Sequence, residues 1–131
     1  ANGTIAFDTL QTSGQITGTA KSLDTDFVVS GSAKAWLNQD SGTSIRDSFN
    51  IASITDTSTG QHTKTMTNAM DSINYSGGGS AASSINSASS GNRMMSANPS
   101  TTTVVFIVCF DTSGNKSDLG YIGSNIFGDL A

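Results

Sequence analysis

Glutamate is absent from this 131-residue chain: all ten acidic side chains are aspartate, set against six lysines and arginines. Charged residues make up only 12% of the sequence, about half the usual share of a soluble domain. The surface is therefore built from hydroxyls and amides. A net charge of −4 leaves no basic footprint for DNA or RNA. The single cysteine, Cys109, excludes an intrachain disulfide, and its apolar setting from Val104 to Phe110 marks it as a small buried hydrophobe rather than a nucleophile. No apolar run approaches the roughly 18–20 residues of a membrane-spanning helix. The opening Ala1-Asn2-Gly3-Thr4 has neither the basic nor the apolar region of a signal peptide. With Ala1 consistent with a removed initiator methionine, synthesis and assembly in a cytoplasm are expected.

Catalytic chemistry is equally sparse. The one histidine, His62, has no second ligand at metal spacing, and a triad would need it beside an activated serine and an aspartate in a pocket. Asp24 and Asp26 share a face if they lie on a strand, as paired carboxylates for glycoside hydrolysis must, but one tryptophan and two tyrosines make a thin sugar cleft. The aspartates of Asp111 to Asp118 lack the bidentate glutamate of a calcium loop and read as a solvated turn. An enzyme, a metal site and a cofactor are not expected.

What is present is serine, threonine, glycine and asparagine, a mixture that disfavours helix and favours turns and strands. The length fits one domain, and an apolar content of only 35% makes burial between subunits plausible on composition alone. Residues 32–75 organise the rest. They hold the only tryptophan, Trp36, and two alternating runs, 45–54 and 62–66, separated by the turn-rich residues 55–60, the pattern of a β-hairpin. Phe49, Ile51 and, after a slip at Ala52-Ser53 that suggests a bulge, Ile54 are expected on the buried side. On the returning strand Thr63, Thr65 and Thr67 occupy one face and His62, Lys64 and Met66 the other. Gly60 supplies a backbone free to reverse.

Elsewhere, residues 4–8 read as a short strand and residues 11–22 as an extended polar arm. Residues 26–30 and 33–37 read as strands, with Trp36 a core or subunit-interface anchor in preference to an exposed sugar-stacking platform. Residues 68–74 suggest one short helical turn. The glycine run 77–84, where changes should be nearly neutral, and the small, polar residues 85–92 read as a flexible loop. Pro99 marks a turn. Residues 101–110 form the most apolar segment, a central strand, with Phe106 as well as Phe49 placed in the core at about 3–5 kcal/mol each on truncation to alanine. Residues 119–127 close the sheet, with Leu119, Tyr121, Ile126 and Phe127 as core candidates. No strand–helix alternation suggests a parallel sheet. Short strands separated by turn signals predict an all-β fold, an antiparallel β-sandwich of two sheets.

Several of these residues also carry a resemblance. Lys34-Ala35-Trp36, Ile45-Arg46-Asp47-Ser48-Phe49-Asn50, Ser53-Ile54-Thr55-Asp56, Thr59-Gly60, Thr67-Asn68-Ala69-Met70 and Asn74-Tyr75 together resemble a module of tail-fibre and other virion proteins of tailed bacteriophages, especially marine and cyanobacterial phages. Gly3-Thr4-Ile5, Asp8-Thr9-Leu10-Gln11-Thr12-Ser13 and residues 28–33 extend the similarity over the chain as far as Tyr75. Leu37-Asn38-Gln39-Asp40 departs from the aromatic and glycine that usually follow the tryptophan, and His62 stands where tyrosine is common.

The resemblance implies a virion location and a homotrimer. Residues 1–25 are then an attachment arm and residues 26–131 a β-sandwich that acts as a tail-fibre or receptor-binding module at the host cell surface. A capsid decoration protein, cement or head-fibre, is the alternative. The expected partners are copies of itself, other virion proteins and host-surface glycan, with no nucleic acid and no membrane. Polar loops 38–43, 56–62 and 76–92 are the expected contact regions, with Asn38, Gln39, Asp40, Thr57, Thr59, Gln61 and His62 as candidate binding residues.

Overall fold

The computed structural model describes residues 16–17, 22–23, 25–85 and 93–131. The expected strand at residues 4–8 lies outside them. The chain divides into two units, Ala1–Ser32 and Ala33–Ala131. In the first, β1 (Ile16–Thr17) and β2 (Ser22–Leu23) pair antiparallel within the segment expected to be an extended arm. Helix α1 (Thr25–Gly31) follows, where residues 26–30 were expected to form a strand. Those residues have β-branched valines but no strand partner among the described residues, and local i→i−4 bonding satisfies their backbone instead; Ser32 N–H donates to Val28 O at 3.2 Å to close the helix end.

The second unit holds two antiparallel four-stranded sheets. Strands β3 (Ala35–Gln39), β4 (Ile45–Phe49), β7 (Ser76–Ala82) and β10 (Tyr121–Phe127) form one, in the order β4-β3-β10-β7. Strands β5 (Ile51–Ser58), β6 (Gln61–Met66), β8 (Met94–Thr101) and β9 (Val104–Phe110) form the other, in the order β5-β6-β9-β8. Ala35, Ala81, Ile122 and Ile126 from the first sheet join Met66, Val105, Ile107 and Cys109 from the second in one hydrophobic core, together with Met70, Tyr75 and Leu119 from the segments between strands.

The expected hairpin is β5–β6, turning at Thr59-Gly60, with residues 55–58 belonging to the strand rather than the turn. Gly60 has φ +67°, and a side chain there would press on the backbone of Ser117 and Cys109. The bulge at Ala52 is present as a register shift between Ile51 and Ser53. His62, Lys64 and Met66 face inward, and the threonines outward. Run 45–54, however, is two strands in two sheets. Asn50 adopts φ +56° and carries the chain from β4 to β5. Its carboxamide makes this turn specific: Nδ2 donates to Lys34 O at 3.0 Å and Oδ1 accepts from Asn68 N–H at 2.7 Å. The break cancels the alternation, so Phe49 is 53% exposed while Ile51 packs against the core.

Residues 68–74 contain no helical turn; bends and a single bridge, Met70↔Leu130, tie them to the chain end. The supposed flexible loop at residues 77–84 is largely β7, paired with β10 from Tyr121↔Ala82 to Phe127↔Ser76. Pro99 lies inside β8, not in a turn. It is accommodated because β8 is an edge strand and the β8–β9 register shifts between Pro99 and Thr101. The turn to β9 is Thr102-Thr103, so Thr101 ends the preceding strand. β9 is central, as its composition predicts, and so is β10, which lies between β3 and β7 rather than closing the sheet. Leu119 and Ile126 are buried, whereas Tyr121 and Phe127 are only partly so.

Phe106 is outward and 46% exposed, against the core position expected for it. Its neighbour Ile107 is fully buried. Ile107→Ala is therefore expected to cost about 2–5 kcal/mol and Phe106→Ala and Phe49→Ala well under that, about 1 kcal/mol or less, in urea denaturation. Equal losses at Ile107 and Phe106 would contradict this register.

Candidate functional site

Alternation on β3 sends Ala35, Leu37 and Gln39 inward and Trp36 and Asn38 outward. On β10 the inward residues are Ile122, Ser124 and Ile126, so Tyr121, Gly123 and Asn125 share the outer face. Register aligns these strands side by side: Trp36 stands opposite Asn125, and Asn38 opposite Gly123. On the far side of β10, Ser80 stands opposite Gly123 and Gly78 opposite Asn125. Directly opposed residues project from the same face.

The result is an open groove of about 370 Å³ along the outer face of the β4-β3-β10-β7 sheet, lined chiefly by Trp36, Asn38, Ser80, Tyr121, Gly123 and Asn125. Trp36, 37% exposed, lies on this face and not in the core of its own chain. Gly123 makes the floor. A Cβ at that position would lie 2.6 Å from the Tyr121 hydroxyl oxygen and 3.2 Å from Cζ, which shows that the phenol folds back over this glycine toward the Trp36 row. No lining residue is charged. The carboxamide Oδ1 of Asn38 is shut off from solvent and has no hydrogen-bond partner among the described residues, so it is the carboxamide's nitrogen end that is left to serve the groove.

Of the residues expected to bind at loop tips, only Asn38 reaches this groove. Gln39 is fully buried, donating from Nε2 to Gly42 O at 3.1 Å, with Oε1 unpartnered among the described residues. Alternation alone forces this, since Asn38 and Gln39 must point to opposite sides. Asp40 caps the β3–β4 turn, accepting from Gly42 N–H at 2.9 Å, a bond that holds its carboxyl below the usual range. Thr59 is exposed at the β5–β6 turn. Thr57, Gln61 and His62 line a second hollow of about 320 Å³ with Asn98, Phe106 and Val108. Thr57 Oγ1 donates to Gln61 O at 3.0 Å, and Gln61 Nε2 is bonded to Ser58 Oγ. His62 itself is 1% exposed, not at a loop tip; its Nε2 lies 3.3 Å from Ser41 O and Nδ1 has no partner among the described residues.

Sequence reasoning held Ser80 only within the broad contact region 76–92, took Tyr121 for the core, and missed Gly123 and Asn125. The spacing Tyr121-x-Gly123-x-Asn125 places three residues on one strand face, but nothing local says that this face adjoins Trp36.

Between the sheets lies a polar pair. The ammonium of Lys64, 1% exposed, donates to Ser124 Oγ at 2.6 Å, and no carboxylate pairs with it among the described residues. Burial pulls its pKa from 10.5 down to about 7, opposed by the nearby Cys109. Burial raises the Cys109 thiol to about 11.

Arg46 braces the sheet edge, donating from Nη1 to Gln39 O at 2.8 Å and from Nη2 to Gly120 O at 2.9 Å. Among the described residues no three His, Cys, Asp or Glu side chains cluster as metal ligands, and no helix is long and apolar enough to cross a membrane. The arrangement offers aromatic surface and uncharged hydrogen-bonding groups on one open sheet face. The chain matches no protein-family model, no curated protein and no solved structure.

Proposed function

We propose that this chain is a structural protein of a tailed-bacteriophage particle, a tail-fibre or receptor-binding β-sandwich that contacts the host cell surface. The observation that carries the reading is the uncharged groove beside Trp36 and Tyr121 on an outer sheet face, a surface suited to adjustable polar contacts. The resemblance of residues up to Tyr75 to phage virion modules supports the particle location. Residues 1–25 act as the attachment arm. Assembly as a homotrimer is supported by β9, whose outward side carries Val104, Phe106, Val108 and Phe110 although one face of an antiparallel sheet is ordinarily polar. Three copies on one fibre raise a weak single-site affinity through effective concentration alone. Other virion proteins anchor the trimer, and no catalysis is assigned to it.

Immunogold electron microscopy of purified particles with an antibody to this chain tests the proposal. Gold at the tail is expected. Gold over the head transfers the protein to capsid decoration, and particles without gold remove it from the virion.

A further inference from the structure

We infer that the groove between Trp36 and Tyr121 is a saccharide subsite for neutral pyranosides, with the two aromatic rings as stacking surfaces and Asn38, Ser80 and Asn125 as hydrogen-bonding groups. The inference deepens the host-contact reading and rests on it only for the biological source of the sugar.

Three features select this ligand class. First, a pyranose presents a C–H face and a rim of hydroxyls, so it needs an aromatic surface beside groups able both to donate and to accept. Carboxamides and a serine hydroxyl do both. Second, the spacing fits. Tyr121 starts four residues along β10 from Asn125, the partner of Trp36, about 13 Å away at strand rise. The phenol folded over Gly123 shortens that gap, leaving Asn38, Ser80 and Asn125 close to the interval between the rings. Third, the one carboxylate standing next to Asn38 is Asp47, its exposed partner across β3–β4, and the whole chain carries −4. Both repel an anionic sugar and leave a neutral one unaffected.

The chain has a single tryptophan, so its emission and its one indole N–H signal report on this groove alone. The probes are neutral hexasaccharides of glucose, mannose, galactose, rhamnose and N-acetylglucosamine, with oligogalacturonate as the anionic counterpart. Each is titrated against the full-length chain at millimolar concentration. Saturable change of the Trp36 signals with at least one neutral probe, and none with oligogalacturonate, is expected.

Tyr121→Ala removes one platform, and Gly123→Ala pushes the flexible phenol off the floor. Either should weaken binding by about tenfold while the melting temperature holds nearly constant. Asn98→Ala, on the other sheet, should bind as the parent does. No response to any neutral probe, a preference for the uronate, or binding unchanged by both Tyr121→Ala and Gly123→Ala overturns the subsite. These results are obtained on the isolated chain, so they stand or fall separately from where gold labels the particle.

Discussion

Replacing Lys64 with methionine is expected to stabilise the protein at neutral pH by about 2–4 kcal/mol, a gain typical of exchanging a buried ion for an apolar isostere. The reason is the position of the residue. β6 alternates so that Lys64 must lie between His62 and Met66 on the inward face, and its described polar contact is one serine hydroxyl. An ammonium has three donors, so this contact is far from full solvation.

The folded-state pKa near 7 lies below the unfolded value of 10.5. Between those values the unfolded chain holds a proton that the folded chain does not. Stability therefore rises with pH over that range, and the full penalty, about 5 kcal/mol, is present only below it. Cys109 acts in the opposite sense: its thiol is raised from 9.0 to about 11, so the unfolded form ionises first and stability falls above pH 9. The window from pH 7 to 9 belongs to Lys64, and a gain of about 2 kcal/mol is expected across it. Urea denaturation of the parent and of Lys64→Met at pH 7, 8 and 9 reads both effects. The variant should be the more stable and lose the slope. It leaves Ser124 without its partner, a cost of about 1 kcal/mol that is included in the net figure. A parent curve flat from pH 7 to 9, or a variant weaker than the parent at pH 7, would contradict the buried amine.

Gly79→Ala should destabilise the protein by about 3 kcal/mol or more, the upper end of overpacking costs, while the adjacent Gly78→Ala should be neutral or slightly stabilising. Gly78 faces outward, where a new methyl would meet nothing closer than Asn125 Oδ1 at 3.5 Å. A methyl on Gly79 would overlap the Gly123 carbonyl oxygen and Met95 Cε. The Gly123 atom belongs to the backbone of the paired strand and cannot swing aside. Gly77 is also tight, since a methyl there would lie 2.9 Å from Ala97 Cβ. Glycines in β7 thus let β8 come close to it. Thermal melts of the two single variants, Gly78→Ala and Gly79→Ala, decide the point, because a flexible linker would tolerate both equally.

The legibility of this chain follows the range of the interactions involved. β9 is readable because its seven residues, Val104–Phe110, are all apolar and mostly β-branched or aromatic, and such a run suits a central strand wherever it pairs. The β5–β6 hairpin, its Ala52 bulge and the faces of β6 are readable because period two and a glycine turn are local properties. β7 was not, since a glycine run has the composition of a linker and becomes a strand only when β10 supplies the ladder. The exposure of Phe49 and the break at Asn50 depend on a residue whose left-handed conformation is held by distant partners, Lys34 O and Asn68 N–H.

Composition and alternation by themselves determined that the chain would be rich in antiparallel strands with a low-charge surface and an apolar core strand, because each of these depends on residue type and near neighbours. The candidate site was half legible: Asn38 was named as a polar residue of the loop 38–43, but the expected binding residues at Gln39 and His62 are interior. Tertiary structure alone decided which sides of the strands face out and that β10 lies between β3 and β7. Residues 36 and 121 are far apart along the chain, and strand order, set by which edges bury the common core, is what puts both on the groove.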